Sequence, residues 1–149
     1  MSFLSPSVFI TGVEGFVGAH LAVHLYERGY QIAGVYWLDP KADLSFARVA
    51  RGDVRDAAEM QTRIAAANPR FVIHLAAISS VPAAEANPPE AFRTNVLGTI
   101  NVLEAVRVLS ARPKVLLASS SDVYDRAAAA IAPLSETSPL KPMNVYALT

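Results

Sequence analysis

The feature that most restricts the fold of this chain is a short apolar run, SVFIT at residues 7–11, that leads directly into three glycines spaced GxxGxxG. A run of this length and character predicts a buried β-strand. The segment after the glycines, 16–29, has the apolar spacing of an α-helix and ends on a glycine. Its apolar residues at helical spacing are Val17, Leu21, Leu25 and Tyr26. The sequence therefore predicts a strand, a glycine turn and a helix, which together open a βαβ unit.

Further apolar runs alternate with helix-length segments along the rest of the chain. The runs that predict strands are 31–37, 47–53, 70–77 and 114–121, and the last two are predicted to be buried strands. The segments that predict helices are 56–69 and 89–111. Near-continuous apolar strands separated by helices are typical of a parallel sheet that is covered on both faces. With right-handed crossovers, the sequence predicts a doubly wound α/β sheet, which binds ligands at the carboxyl ends of its strands.

Composition narrows the possible functions. The 149 residues are enough for one domain with a core, and the 13 basic and 13 acidic residues cancel, which argues against nucleic-acid binding through bulk charge. No apolar stretch has the length of a membrane span, and the first residues lack the basic start of a signal peptide, so we expect a cytoplasmic protein. The sequence has no cysteine, and His20 and His24 lack a third ligand, so we expect no metal site.

The three glycines of the turn each have a physical reason to be there. Gly12 allows a tight turn, Gly15 lets the backbone approach a pyrophosphate, and Gly18 permits close packing of helix on strand. The helix N-terminus behind them offers free N–H groups and the positive end of the helix dipole. Three glycines in a turn can also be purely structural. The strand before them and the helix after them favour a dinucleotide site.

Six segments, in order and with suitable gaps, carry a resemblance to one family. They are TGVEGFVGAHL at 11–21, RGDVRD at 51–56, VIHLAA at 72–77, NVLGTINVLEA at 95–105, SSSDVY at 119–124 and PMNVYALT at 142–149. Together they resemble the extended short-chain dehydrogenase/reductase family, the NAD(P)-dependent nucleotide-sugar epimerases, dehydratases and reductases. The resemblance implies that residues 1–149 are a Rossmann-type cofactor-binding domain, truncated before its last strands and before a substrate-binding lobe.

The resemblance also implies a set of cofactor-binding residues. They are Gly12, Gly15, Phe16, Val17, Gly18, Asp53, Val54, Leu75, Ala76, Ala77 and Asn95. In the family the equivalent of Asp53 accepts a hydrogen bond from the adenine amino group, although a turn or N-cap aspartate is the plain alternative. Small residues such as Ala76 let the cofactor lie against the backbone. The family uses the equivalent of Asn95 to support the active site, and a purely structural role for this residue is nearly as plausible.

The end of the second predicted strand bears on the choice between NAD and NADP. NAD enzymes usually place a carboxylate there to hold the ribose 2′-hydroxyl. The alignment instead places Tyr36 at this position, followed by Trp37, and Asp39 comes three residues too late, with the loop geometry as the one way it could still take the acid's place. No arginine stands at 36–38 to meet a 2′-phosphate. The cofactor is therefore NADP or NAD, and the missing acid slightly favours NADP.

Three residues match the catalytic positions of the family. Ser120 falls on the active-site hydroxyl residue that bonds the reacting oxygen of the substrate. Tyr146 matches the tyrosine of the YxxxK motif, whose phenolate form is favoured by a neighbouring ammonium group. The lysine of that motif would be residue 150. Asp122 falls where sugar dehydratases carry an acid that acts on the C5 proton, and where some 4-keto-sugar reductases also have an acid. A cap or turn role for Asp122 is about equally plausible.

The resemblance finally implies a reaction and partners. The expected reaction is hydride transfer between C4 of a nucleotide-linked hexose and a nicotinamide. The motifs look closest to the GDP-mannose 4,6-dehydratases and the GDP-4-keto-6-deoxy-mannose reductases, with some preference for a reductase, and a 4-epimerase is an alternative. A non-catalytic NAD(P)-binding sensor or fragment is the alternative from another class. Family members commonly pair, so we expect a homodimer through the 89–111 helix and the helix that starts near Tyr146.

Overall fold

The structure is a computed structural model, which describes residues 5–125, 127 and 133–149. Its strands are β1 (Ser7–Thr11), β2 (Gln31–Tyr36), β3 (Arg48–Arg51), β4 (Phe71–His74) and β5 (Lys114–Leu117). Its α-helices are α1 (Phe16–Glu27), α2 (Ala57–Ala67), α3 (Val81–Ala86), α4 (Pro88–Ala91), α5 (Gly98–Arg107) and α6 (Val145–Leu148). A π-helical segment, Phe92–Leu97, joins α4 to α5, and a 3-10 segment, Ser121–Val123, follows β5.

The described strands form one parallel sheet in the order β3-β2-β1-β4-β5. The chain leaves β1 towards β2 and β3 and then returns to the other side of β1 with β4. The connections therefore reverse direction between β1 and β4, and the carboxyl ends of these two strands border the crevice in which such sheets bind ligands. This topology confirms the predicted doubly wound, Rossmann-type fold.

Two apolar cores lie on opposite faces of the sheet, because successive strand residues point to opposite sides. On one face, Ile10 of β1 packs in a buried cluster with Ala22 of α1. On the other face, Phe9 of the same strand lies in a cluster with Ile64 of α2 and Val102 of α5. The strand β1 is thus covered on both sides, which is what its uninterrupted apolar sequence predicts.

Helix α1 packs on the sheet through small residues. Gly18, Ala19 and Ala22 are its buried residues. Two of the apolar residues whose spacing predicts this helix, Val17 and Tyr26, are 58% and 50% exposed. The apolar spacing thus predicts the helix but does not identify its buried face. Among the helices that the structure describes, none combines the length and hydropathy needed to cross a membrane.

The last two strands differ from their predicted extent and burial. Strand β4 ends at His74, although the apolar run continues to 77. The prediction of a buried β5 is wrong, since Leu116 and Leu117 are 56% and 44% exposed. Strand β5 is the outermost strand of the described sheet and pairs only with β4. An apolar run predicts a strand, but its position in the sheet decides how much of the strand is buried.

The predicted helix 89–111 is interrupted rather than uniform. It comprises α4, the π-helical segment Phe92–Leu97 and α5, and it ends at Arg107. A π-helical turn carries an extra residue, which changes the direction of the side chains around it, and such turns are frequent at functional sites. The hydroxyl of Thr99 donates a hydrogen bond of 2.5 Å to the Asn95 carbonyl at the end of this segment. The side chain of Asn95 is buried and faces the loop that follows β4.

Candidate functional site

A cleft of about 990 Å³ opens at the carboxyl ends of β1, β2 and β4. The glycine turn, the start of α1 and the loops after β2, β3 and β4 contribute most of its lining, and Glu90 of α4 and Thr94 of the π-helical segment also line it. The lining extends to Ala118, directly after β5. The predicted cofactor-binding residues that line it are Gly12, Gly15, Phe16, Val17, Gly18, Asp53, Val54, Leu75, Ala76 and Ala77. The structure brings these residues together around one cleft, and their cofactor-binding role stays a prediction.

Two glycines of the turn are required by the space around them. Gly12 has a φ of +70°, and a Cβ added there would lie 2.8 Å from the backbone nitrogen of Ala76. A Cβ added to Gly18 would lie 2.3 Å from the carbonyl oxygen of Gly12. Both distances are too short for a carbon atom, so a side chain at either place would push the turn away from β4 or from α1. The two glycines therefore allow the turn to pack closely against the residues after β4 and against the first turn of α1.

The N-terminus of α1 begins within this glycine turn. Gly15 is the N-cap residue, and no side chain caps the helix there. The first N–H groups of an α-helix have no acceptor within the helix, and the dipole places positive charge at the same end. Phe16 and Val17 line the cleft and are 82% and 58% exposed. The arrangement offers backbone donors to an anion, which is the usual way such turns hold phosphate groups.

The carboxylate of Glu14 binds the residues that follow β2, a contact that the sequence pattern does not predict. The Oε1 atom of Glu14 accepts hydrogen bonds from the backbone N–H groups of Trp37, at 2.7 Å, and Leu38, at 3.3 Å. Its Oε2 atom is buried and has no hydrogen-bond partner among residues 5–125, 127 and 133–149. Glu14 lines the cleft together with Trp37 and Leu38. Glu14 is far from β2 in sequence, so only the packing of the turn against this strand reveals the contact.

Asp53 lies in the cleft lining within a cluster of charged side chains. Arg55 donates to both carboxylate oxygens of Asp53, with the shortest contact at 2.6 Å, and also pairs with Glu90. The side-chain hydrogen bonds from Arg55 hold the pKa of Asp53 below its usual value. The guanidinium of Arg55 also lies over the Trp37 ring, 4.8 Å from its centroid. Asp53 also accepts the backbone N–H of Arg55, which is the turn role named above as the alternative to cofactor binding. Its carboxylate nevertheless borders the cleft.

A buried histidine holds the end of β4 in place. The Nδ1 atom of His74 lies 2.6 Å from the hydroxyl of Thr11, and its Nε2 atom lies 3.0 Å from the hydroxyl of Thr99. The hydroxyl of Thr11 also accepts the N–H groups of Leu75 and Ala76. Burial lowers the pKa of His74 to about 4, so the ring is neutral at physiological pH. The Leu75 N–H also bonds the Thr11 carbonyl of β1, so the Thr11 hydroxyl takes the place of a strand acceptor only for the Ala76 N–H.

Asn95 links two parts of the chain behind the cleft. Its Oδ1 accepts the N–H of Ile78 at 2.8 Å, and its Nδ2 donates to the Ile78 carbonyl at 3.2 Å. The same Nδ2 donates to the Thr149 hydroxyl at 2.9 Å. Asn95 does not line the cleft, although Ile78 does. Asn95 therefore supports the loop after β4 and the end of α6, which agrees with a supporting rather than a contacting role.

The three predicted catalytic residues lie on two elements that contact each other. Ser120 is the N-cap of the 3-10 segment Ser121–Val123, and its Oγ accepts the N–H of Asp122 at 3.2 Å. This segment packs against α6, which carries Tyr146. Ser120, and not Asp122, therefore caps this segment. The carboxylate of Asp122 accepts no hydrogen bond from any residue that the structure describes. The structure brings the three residues to neighbouring elements after β5, but none of the three lines the cleft, whose lining reaches Ala118.

Helix α6 is itself fixed at its first turn. The Oδ1 of its N-cap, Asn144, accepts the N–H of Ala147 at 2.7 Å. The carboxylate of Glu85, on α3, accepts the N–H of Val145 at 2.8 Å. These two acceptors satisfy N–H groups that a helix start leaves free. They also set the position of Tyr146, which follows Val145 directly.

The two histidines of α1 have partners on their own helix. The Nδ1 atom of His20 lies 2.7 Å from the Phe16 carbonyl, and that of His24 lies 3.0 Å from an Arg28 nitrogen. Within the described ranges, no group of three His, Cys, Asp or Glu side chains is arranged to hold a metal ion. The i, i+4 pair therefore has a structural explanation in local hydrogen bonds.

Comparison with known proteins gives a consistent result. The sequence profile of the NAD dependent epimerase/dehydratase family matches residues 8–149. The chain is 33% identical over 130 residues to UDP-glucuronate 4-epimerase 3 of Arabidopsis thaliana, in an alignment that covers 79% of this chain and 30% of the relative. It is 34% identical over 127 residues to CDP-glucose 4,6-dehydratase of Salmonella typhimurium, and the alignment covers 79% of this chain and 35% of the relative.

A solved structure agrees with the sequence relatives. The structure of UDP-glucose 4-epimerase from Brucella ovis in complex with NAD matches with a TM-score of 0.83 and 28% identity, over 97% of this chain and 44% of that one. The chain spans about a third of the length of the two curated relatives. The relatives include both epimerases and dehydratases, so the comparisons define the family and leave the reaction type open.

Proposed function

This chain belongs to the NAD dependent epimerase/dehydratase family, and we propose that it forms the cofactor-binding part of an enzyme that acts at C4 of a nucleotide sugar. The rest of such an enzyme would supply further strands and a lobe that binds the sugar. The relatives that the chain matches are two to three times longer, and β5 is exposed, and both observations support this proposal.

One observation carries the proposal. The cleft extends from the glycine turn to Ala118, which shortly precedes the 3-10 segment that Ser120 caps, and that segment packs against α6 with Tyr146. A dinucleotide whose diphosphate lies at the turn would extend along the ends of β1 and β4 towards these two hydroxyl groups. The tight turn that Gly12 and Gly18 permit and the uncapped N-terminus of α1 fit the diphosphate of such a cofactor.

The proposed chemistry divides between two side chains and the cofactor. Tyr146 takes the proton of the C4 hydroxyl when the sugar is oxidised and returns it when a C4 ketone is reduced. Ser120 donates a hydrogen bond to the same oxygen and so holds it beside Tyr146. When bound, a nicotinamide dinucleotide would supply the hydride chemistry at C4.

Asp122 distinguishes among the reactions of the family. Its carboxylate makes no hydrogen bond within the described part of the chain, and a neighbouring serine provides the cap. A carboxylate on the segment that packs against the tyrosine helix suits a base that removes the C5 proton of a 4-keto sugar, while the C6 hydroxyl leaves as water. We therefore place a 4,6-dehydratase or a related 4-keto-6-deoxy-sugar reductase first. The likeness to a 4-epimerase makes 4-epimerisation the second candidate.

The proposal is tested with the complete protein and a panel of nucleotide hexoses and nucleotide 4-keto-6-deoxy-hexoses. A dehydratase gives a product that has lost water, a reductase consumes NADH or NADPH, and an epimerase gives a product of unchanged mass. Mass spectrometry, sugar NMR and nicotinamide absorbance separate the three. Binding of the dinucleotide with no product from any sugar would instead support the non-catalytic alternative.

Variants then assign the residues. Tyr146→Phe removes the proton donor and is expected to lower kcat about a hundredfold or more. Tyr124→Phe is the matched control, because it makes the same change at a tyrosine that pairs with Leu140 through its backbone, which the substitution leaves in place. Asp122→Asn should abolish loss of water in a dehydratase and leave an epimerase close to wild type. Equal effects of Tyr146→Phe and Tyr124→Phe would contradict the assignment of Tyr146.

The predicted homodimer is retained as part of the proposal. Leu97, Ile100 and Leu103, on the π-helical segment and α5, are 51%, 48% and 38% exposed. Such a stripe of apolar side chains along one helix supports pairing with a second copy. Analytical ultracentrifugation of the complete protein and of an Ile100→Glu variant tests it. A wild-type monomer at all concentrations would refute it.

A further inference from the structure

The carboxylate of Glu14 occupies the place at which NAD enzymes of this fold carry an acid at the end of the second strand. Both N–H groups that follow β2, those of Trp37 and Leu38, donate to its Oε1 atom. The strand itself supplies no acid there, because β2 ends at Tyr36. An acid from the glycine turn therefore reaches the end of β2 and fills the position that the strand leaves without a charge.

The same carboxylate has acceptor capacity to spare. Each carboxylate oxygen can accept about two hydrogen bonds, and Oε2 of Glu14 receives none from the described residues. A buried acceptor without a donor is costly, and a hydrogen bond to it is correspondingly favourable. The side chain lines the cleft, and the terminal torsion of a glutamate is soft and roughly two-fold. A small rotation about the terminal torsion of Glu14 therefore brings a carboxylate oxygen within reach of a ligand hydroxyl in the cleft.

The charges around the cleft favour the same conclusion. Among the described residues that line the cleft, four carry carboxylates and two, Arg55 and Lys41, carry cationic side chains. Arg55 is already paired with two of those carboxylates. A 2′-phosphate would therefore lie near the charge of Glu14 with only Lys41, an exposed lysine, to compensate it. A ribose hydroxyl would meet an acceptor instead of a like charge.

We propose that Glu14 determines the cofactor preference of this protein, by accepting a hydrogen bond from the adenosine 2′-hydroxyl of NAD and by repelling the 2′-phosphate of NADP. This inference rests on the proposed function, because it requires a dinucleotide in the cleft. It replaces the preference for NADP that the residues of β2 alone suggest. The acid that selects the cofactor comes from the glycine turn and not from the strand.

The test measures binding of ADP-ribose and 2′-phospho-ADP-ribose to the complete protein by calorimetry. These probes differ only at the 2′ position and do not depend on catalysis. Glu14→Gln is the informative variant, because the amide oxygen of Gln can still accept the two N–H groups after β2. Asp39→Asn is the matched control, because it removes one negative charge from the same cleft lining. Glu14→Asp keeps the charge on a shorter side chain.

We expect the wild type to bind ADP-ribose at least tenfold more tightly than the 2′-phosphorylated probe. Glu14→Gln should reduce this ratio about tenfold to about a hundredfold, the range expected for a hydrogen bond to a charged group. Asp39→Asn should change it less than about threefold, and Glu14→Asp should keep most of the discrimination against the phosphate. If Glu14→Gln binds both probes normally and with the wild-type ratio of affinities, this inference is overturned while the proposed dinucleotide site stands. Failure of the wild type to bind either probe would overturn the dinucleotide site and this inference with it.

Discussion

Acidification is expected to destabilise this protein through one buried histidine. His74 ends β4, is 6% exposed, and contacts the hydroxyls of Thr11 and Thr99. The Thr99 hydroxyl donates to the Asn95 carbonyl, so it accepts from Nε2 of His74. The Nδ1 atom is then the acceptor for the Thr11 hydroxyl. The neutral ring satisfies every member of this network, and a second ring proton would have no acceptor.

The magnitude follows from the pKa. Burial lowers the pKa of His74 from 6.5 to about 4. The unfolded chain therefore binds the extra proton first as the pH falls, so the contribution of this group is complete above about pH 6.5 and is lost towards pH 4. One pKa unit corresponds to about 1.36 kcal/mol, so the total effect is about 3 kcal/mol, and about 2.5 kcal/mol of it is lost by about pH 4.5. That is a large fraction of the stability of a domain.

Urea unfolding of wild type and of His74→Gln at a series of pH values from about 7.5 to 4.5 measures this loss. Gln keeps one donor and one acceptor but does not titrate, so its free energy of unfolding should fall about 2.5 kcal/mol less over this range. His24→Gln, at an exposed position on α1, should keep the wild-type dependence. Equal pH dependence in wild type and His74→Gln would refute the reasoning. So would a wild type whose stability rises as the pH falls.

Three substitutions, with Gly29→Asn as the control for the first, test the supports of the site. Gly18→Ala places a Cβ 2.3 Å from the Gly12 carbonyl oxygen and should lower the free energy of unfolding by about 1–3 kcal/mol. Gly29→Asn is the control, because Gly29 has a φ of +82° and open space around it, and this substitution should lower the free energy of unfolding by less than about 1 kcal/mol. Asn95→Ala should speed hydrogen exchange at the Ile78 amide, because it removes the acceptor of that N–H. Glu85→Ala should lower kcat of the complete enzyme while dinucleotide affinity is unchanged, because Glu85 binds the start of α6 and does not line the cleft.

The sequence predicts the sheet well because local pattern and topology rules agree. The apolar runs become strands, and the helices between them place the strands in a doubly wound order. Burial is predicted less well. Leu116 and Leu117 are as apolar as the residues of β1, yet they are exposed because β5 has one neighbouring strand in the described sheet. The π-helical turn before Thr99 is also invisible to periodicity, because one extra residue does not disturb the apolar spacing enough to be read.

The glycine turn illustrates what the sequence can and cannot give for the site. The need for glycine at positions 12 and 18 follows from the expected geometry, and the structure supplies the contacts that a side chain there would displace. Glu14, between them, has no such signature. A reader of the sequence looks for the ribose acid at the end of β2, because that is where the acid usually lies. A carboxylate acts through its position in space, however, and not through the strand that carries it. Because β1 lies next to β2, a side chain in the turn after β1 reaches the same point as one at the end of β2. Any sequence of this fold that lacks the strand acid should therefore be examined at the turn before its cofactor is assigned.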